Sequence, residues 1–428
     1  MFALEQTPDR SSNLLRHTCL SLPVHLMAGD AGSGIVIPEG RMGADGNFKV
    51  FKTKPVHLPF RPFFLVAAAD AILGAGGWLP SALGIQVFGP TGISAGDWHR
   101  DMLLFGMVPA VLTGFLLTAL PRWTGHRVAS PHTTHLLILL WACSRAAFLL
   151  LSPSFGLTFS AIWVLALLSI AARVVIASRD RRNLKILLLL AAFCGSNGLV
   201  AASYQVEFAL RLALVSIIGL VVTIGGRVVP ALTVAYVESA GGQIVLRRSA
   251  SREYAAALMT ISALCSWAVA PEAQLSGLAC ALAAISQAIR AAQWKGWRSL
   301  SSSTVLGLHI GYGWIAVGFA FLAIHIFAPA MLGQATALHA WTIGAIGTMA
   351  LAIMASMIRK HSRLAFVPST PATGALAAMT ACCLSRLLIE VLPGYAGPLA
   401  SFSGALWIVA FGLFLTAYRG TLLGAGLK

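Results

Sequence analysis

Apolar residues fall into twelve runs of roughly 17–25 along the chain, near 62–84, 102–120, 134–152, 155–177, 185–204, 208–230, 254–271, 273–290, 304–327, 334–358, 372–392 and 396–418. Each run is about as long as a helix that crosses a bilayer. None has the period-two alternation of a transmembrane β-strand. In lipid, every backbone polar group must be satisfied within a helix or a closed barrel. The pattern therefore predicts an all-α polytopic integral membrane domain over residues 55–420 with about twelve transmembrane helices.

The polar positions between the runs predict orientation. The segment before the first run carries Arg10, Arg16, Arg41, Lys49, Lys52, Lys54 and Arg61. Every second connection is also basic: Arg122 and Arg127; Arg179, Arg181, Arg182 and Lys185; Arg247, Arg248 and Arg252; Arg290, Lys295 and Arg298; Arg359, Lys360 and Arg363. Arg419 and Lys428 follow the last run, and among the remaining connections only 85–101 carries a basic residue, Arg100. Basic loops stay in the cytoplasm, so an unbroken alternation predicts that both termini lie inside. Residues 1–54 hold no apolar run of signal-peptide length and are polar and Gly-rich. They are expected to form a disordered cytoplasmic tail or to reflect a mis-chosen start. Residues 421–428 are expected to form a short cytoplasmic tail.

Composition agrees. The chain is 57% hydrophobic and 10% charged, with a mean hydropathy of +0.81, which excludes a soluble domain of this size. The formal charge of +16 is scattered through short loops, where it sets orientation, so no nucleic-acid partner is expected; the bilayer is. Seven cysteines occur without a CxxC pair, which argues against a disulfide framework.

Five stretches carry candidate chemistry. The first, DWHRDMLLFGMVPAVLTGFLLTALPRWT, spans 97–124. His99 and Met102 are three apart and share a helix face; an imidazole and a thioether there can bind haem iron or copper. Alternatively, Trp98 anchors the interface and His99 is a hydrogen-bonded boundary residue. The second, HLPFRPFFL (57–65), offers Arg61 to a lipid phosphate or a propionate and is expected to set Phe60, Phe63 and Phe64 at the membrane interface. The third, IGGRVVPALT (224–233), has two glycines that permit close approach, Arg227 and Pro230, which kinks or ends a helix. Arg227 either snorkels or meets a carboxylate or propionate. The fourth, GLHIGYGWIAVGF (307–319), sets His309 among small residues, a metal ligand or a satisfied interhelical hydrogen bond. The fifth, ALHAWTIGAIGTMALAIM (337–354), opens with His339; its methionines are gap-filling core or soft ligands.

The topology places His99, His325 and His339 at outer ends of spans and His309 in the inner half of the ninth. Spans two and ten each begin with an aromatic-flanked histidine followed by glycines, which a degenerate repeat or chance explains equally well. A six-residue link, 328–333, makes spans nine and ten a tight hairpin. His99 and His339 are expected to lie together and bind one cofactor. The alternative is that each only caps its own helix end.

In this order the blocks resemble the NnrS family, haem- and copper-containing membrane proteins associated with the bacterial response to nitric oxide. The resemblance rests on PFRPFF at 59–64, WHRDMLLFG at 98–106, GFLLTALPRWTG at 114–125, GGRVVP at 225–230, LHIGYGW at 308–314 and LHAWTIGAIGTM at 338–349, and it covers roughly 55 to 365. The family pattern Trp-His-x-His-Glu-Met-x-Phe-Gly is kept at Trp98, His99, Phe105 and Gly106, but Asp101 replaces the second histidine and Met102 the glutamate. This marks a divergent member. The resemblance implies haem and copper in a multi-pass protein of the bacterial inner membrane, serving nitric oxide tolerance or denitrification, with nitric oxide or a metal complex as small-molecule partner. Whether there is turnover is left open. Candidate metal ligands are His99, Met102, His309, His325 and His339; candidate propionate partners are Arg61, Arg100, Arg145 and Arg227. The competing reading is a secondary transporter without redox cofactor, its pathway lined by Asp70, Arg145, Arg173, Arg211, Arg386 and Glu390. A haem-copper oxidase relative needs several intramembrane histidines, and only His309 lies well inside.

Overall fold

The computed structural model describes residues 40–42, 48–50, 58–85, 92–126, 128, 130–179, 181–246, 249–362, 364, 366 and 369–424. Residues 1–56 and 57–428 form separate units. Within the first, Gly40–Met42 pairs antiparallel with Phe48–Val50; the rest of the expected tail, and His57, lie outside the described residues, as do 425–428.

The second unit is all helical. The helices are α1 (Phe60–Ala82), α2 (Ala95–Thr124), α3 (Pro131–Leu150), α4 (Pro153–Ala177), α5 (Leu184–Ala201), α6 (Val206–Ser239), α7 (Ala250–Val269), α8 (Gln274–Ala292), α9 (Ser303–Phe327), α10 (Gln334–His361), α11 (Thr370–Val391) and α12 (Ala396–Leu422). Each of the twelve runs read from the sequence becomes one of these helices. Eleven are long and apolar enough to cross a membrane; α7 opens with Arg252 and Glu253, which lower its mean hydropathy. Local chemistry sets the starts. Ser94, Ser130, Ser152, Ser302 and Ser369 each accept a backbone N–H of the first turn, and Pro131 and Pro153 sit where their missing N–H costs nothing. Gly125, at φ 72°, closes α2 in the left-handed conformation.

The helices are not equivalent. Most bury 33–44% of their apolar window, the rest facing outward, as expected of helices in contact with lipid. By contrast α2 buries 83%, α10 78% and α6 67%. These three form the interior, and two of them begin with the histidines singled out above. The outer surface carries large apolar side chains such as Leu139, Leu188, Leu258 and Ile285, which a bilayer solvates and water does not.

Two expectations are corrected. Phe60, Phe63 and Phe64 are fully buried between helices rather than at an interface. Phe64 fills the space over Gly114 and Phe63 stacks on Trp163 at 6.5 Å. Pro230, expected to kink or end its helix, does not end it: α6 runs on to Ser239 with the proline inside, since one lost backbone bond is tolerated where neighbouring helices pack around it.

Candidate functional site

Two of the three interior helices, α2 and α10, share a construction. Each starts with a short α-helical piece carrying a histidine, widens into π-helical turns, and then continues as regular helix. In α2 the widened stretch is Leu103–Met107; in α10 it is Ala340–Gly347. The cause in α2 is legible. Pro109 has no N–H to return to the Phe105 carbonyl four residues back, and that oxygen instead accepts from Ser160 Oγ at 2.7 Å and Arg145 Nη2 at 3.4 Å. In α10, Gly344 and Gly347 admit the rings of Trp314 and Trp407 against the backbone. Widened turns of this kind recur at functional sites.

Between α1, α2, α6, α7, α10, α11 and α12 lies a cavity of about 410 Å³, at the end of the bundle away from the basic connections. His99 and His339 both line it, with Trp78, Trp267, Trp407 and Arg386. His339 Nδ1 donates to the Ala335 carbonyl at 2.5 Å, which fixes the tautomer and leaves Nε2 with a free lone pair. The His99 ring packs on Trp78, centroids 5.2 Å apart, and its Nδ1 is buried without a hydrogen-bond partner. An unpaired buried polar atom costs about 1–3 kcal/mol, a cost that a ligand at that nitrogen offsets. The cavity's size lies in the range of small-molecule sites, roughly 300–1,000 Å³.

The other candidates are placed elsewhere or occupied. Met102 Sδ accepts from Arg145 Nη1 at 3.0 Å and is absent from the cavity wall. His309 Nε2 meets Thr233 Oγ1 at 2.8 Å. That hydroxyl spends its one hydrogen on the Val229 carbonyl, so the imidazole is the donor. His325 Nδ1 donates to the Leu332 carbonyl at 2.9 Å and ties down the link between α9 and α10. Arg61 lies near Gly424, at the opposite end of the bundle, and Arg227 binds Asn183 and the Arg182 carbonyl over the Trp123 ring. Arg100 does line the cavity, held by Asp97 at 2.6 Å and Asp101 at 2.7 Å. Asp101, the departure from the family pattern, thus spends its carboxylate on its neighbour. Gly225 and Gly226 make room for Tyr312 and Arg290, whose network with Glu253 and Gln287 is a separate polar cluster.

Arg386 and the three tryptophans were not assigned to this site by sequence reasoning. The signal for Arg386 was its charge inside an apolar run; its position opposite two imidazoles depends on helix packing. Among the described residues Arg386 makes no hydrogen bond or ion pair, and its guanidinium lies 5.7 Å from the centre of the Trp78 ring. Such a contact contributes about 0.5–2 kcal/mol.

Among the described residues no three His, Cys, Asp or Glu side chains are grouped to hold a metal ion. The family model described as NnrS protein matches residues 55–425. No curated protein matches the chain.

Proposed function

Because the chain belongs to the NnrS family, we propose that it is a haem-binding protein of the bacterial inner membrane that serves the response to nitric oxide or denitrification, with the cavity between His99 and His339 as the haem site. One observation carries the proposal: two imidazoles from two interior helices, α2 and α10, face one cavity, and each has a nitrogen that no protein group among the described residues occupies. The donor set fits haem, which needs one or two axial ligands, apolar walls and cations near its propionates. Trp78, Trp267 and Trp407 supply flat walls, and Arg100, Arg211 and Arg386 the positive charge.

Bound there, haem iron would supply a centre whose affinity for small diatomic molecules is set by its axial ligands. The chain's own contribution is orientation. The Ala335 carbonyl holds the His339 ring and Trp78 holds that of His99. Copper, which the family resemblance also implies, lacks a comparable set here, because the Met102 sulfur faces Arg145 and no third ligand joins the histidines. Purified from haem-replete cells, the protein should show a Soret band and roughly one haem per chain by pyridine haemochrome assay. A colourless protein would count for the transporter reading instead.

A further inference from the structure

Of the three arginines that line the cavity, two are held by protein groups and, among the described residues, one is not. Arg100 is held by two carboxylates, Arg290 by Glu253 and Tyr312, Arg145 by Met102, Ser144 and the Phe105 carbonyl beside Asp70, and Arg211 by the Ala268 carbonyl. Arg386 lines the cavity beside Cys382 and the Trp78 ring and, among the described residues, has no hydrogen bond or ion pair. The acid one turn along its own helix, Glu390, is spent on the Gly333 N–H and Thr336 Oγ1. Glu207, the acid that lines the cavity, is exposed and, among the described residues, makes no ion pair with Arg386. A guanidinium inside a membrane protein needs an anion or a set of acceptors. Apart from Glu207, the source of either is whatever fills the cavity.

We propose that Arg386 is the counter-charge for a carboxylate arm of the cavity's ligand, and that the site therefore selects a flat carboxylate-bearing molecule over its uncharged counterpart. The geometry supports this pairing. Trp78 contacts both the His99 ring and the Arg386 guanidinium, so one indole fixes the cation beside the imidazole. A ligand lying flat on the tryptophan walls with its centre near the histidines would bring a side arm to Arg386. The identity of the ligand as a porphyrin rests on the haem reading above; its charge does not.

The test uses the full chain, produced under haem limitation and held in nanodiscs of zwitterionic lipid. Two pairs of fluorescent probes are titrated: metal-free protoporphyrin IX against its dimethyl ester, and 1-pyrenebutyrate against its methyl ester. Each carboxylate should bind about tenfold or more tightly than its ester, the range of a hydrogen bond to a charged group. Arg386→Met should remove that preference and Arg386→Lys should restore much of it. Equal binding of acid and ester by the unaltered protein overturns the proposal without recourse to any variant. A preference that survives in Arg386→Met also overturns it and moves the anion to Arg211. If pyrenebutyrate is preferred through Arg386 but protein from haem-replete cells shows no Soret band, the haem reading fails and Arg386 keeps its role. If no carboxylate binds, the role of Arg386 fails, whatever the Soret band shows.

Discussion

Asp70 and Arg145 show how this protein keeps charge in its interior. Asp70 is fully buried and accepts from Trp141 Nε1 at 2.9 Å. Arg145 distributes its donors over a sulfur, a hydroxyl and a carbonyl. The two meet above Gly106, where an added Cβ would lie 2.7 Å from Arg145 Nη1 and 3.0 Å from Asp70 Oδ2. They form no direct ion pair but offset each other's buried charge across Gly106; removing one leaves the other less compensated, whereas replacing both by apolar residues is often near neutral. Arg145→Leu should therefore lower the thermal midpoint of the detergent-solubilised protein sharply, and Asp70→Leu/Arg145→Leu should recover part of the loss. A double variant less stable than the single one would show that the charges do not compensate each other. The same reasoning marks off Arg386. Its position next to an acid-poor cavity follows from packing among α1, α10 and α11, which hydropathy does not report, so the sequence identified the charge and not its place.

At the scale of elements, helix existence was fully legible and some boundaries were not. The second run reads as 102–120 because Asp97, Arg100 and Asp101 depress its hydropathy, yet the helix begins at Ala95. Those charges neutralise one another on a capped first turn, so the helix carries them at little cost. The widened turns of α2 and α10 were not legible as such. Pro109 follows one of them, but a proline in isolation does not say whether a helix breaks or widens. The histidines' shared depth was legible from the alternation of basic loops, whereas the diversion of Met102 to Arg145 depends on a residue more than forty positions away. Small residues set how closely the elements approach. A Cβ on Gly156 of α4 would fall 2.7 Å from the Phe148 Cα of α3, a backbone atom that cannot swing aside, while one on Gly313 of α9 meets nothing within 4 Å. Gly156→Ala should cost about 1–3 kcal/mol by overpacking. Gly313→Ala should be neutral or slightly stabilising, since alanine favours helix over glycine by about 1 kcal/mol. Thermal unfolding of the two variants side by side checks this, and equal midpoints would contradict the helix contact described.

For the whole molecule, the arrangement that matters is central placement. Two helices surrounded on most sides by others carry the two histidines to one cavity, while the remaining helices mostly shield them from lipid. Such a layout suits a bound group that must be kept from bulk water. His309 and His325, bonded to Thr233 and the Leu332 carbonyl, are built into helix contacts instead and serve as internal controls. The most direct test of the account is the absorption spectrum of the purified protein with each of these four histidines replaced by alanine in turn. His99→Ala and His339→Ala should each shift or abolish the Soret band at near-normal membrane levels, and His309→Ala and His325→Ala should leave its position unchanged. An unaltered band in both His99→Ala and His339→Ala, or a band lost only with His309 or His325, would contradict it.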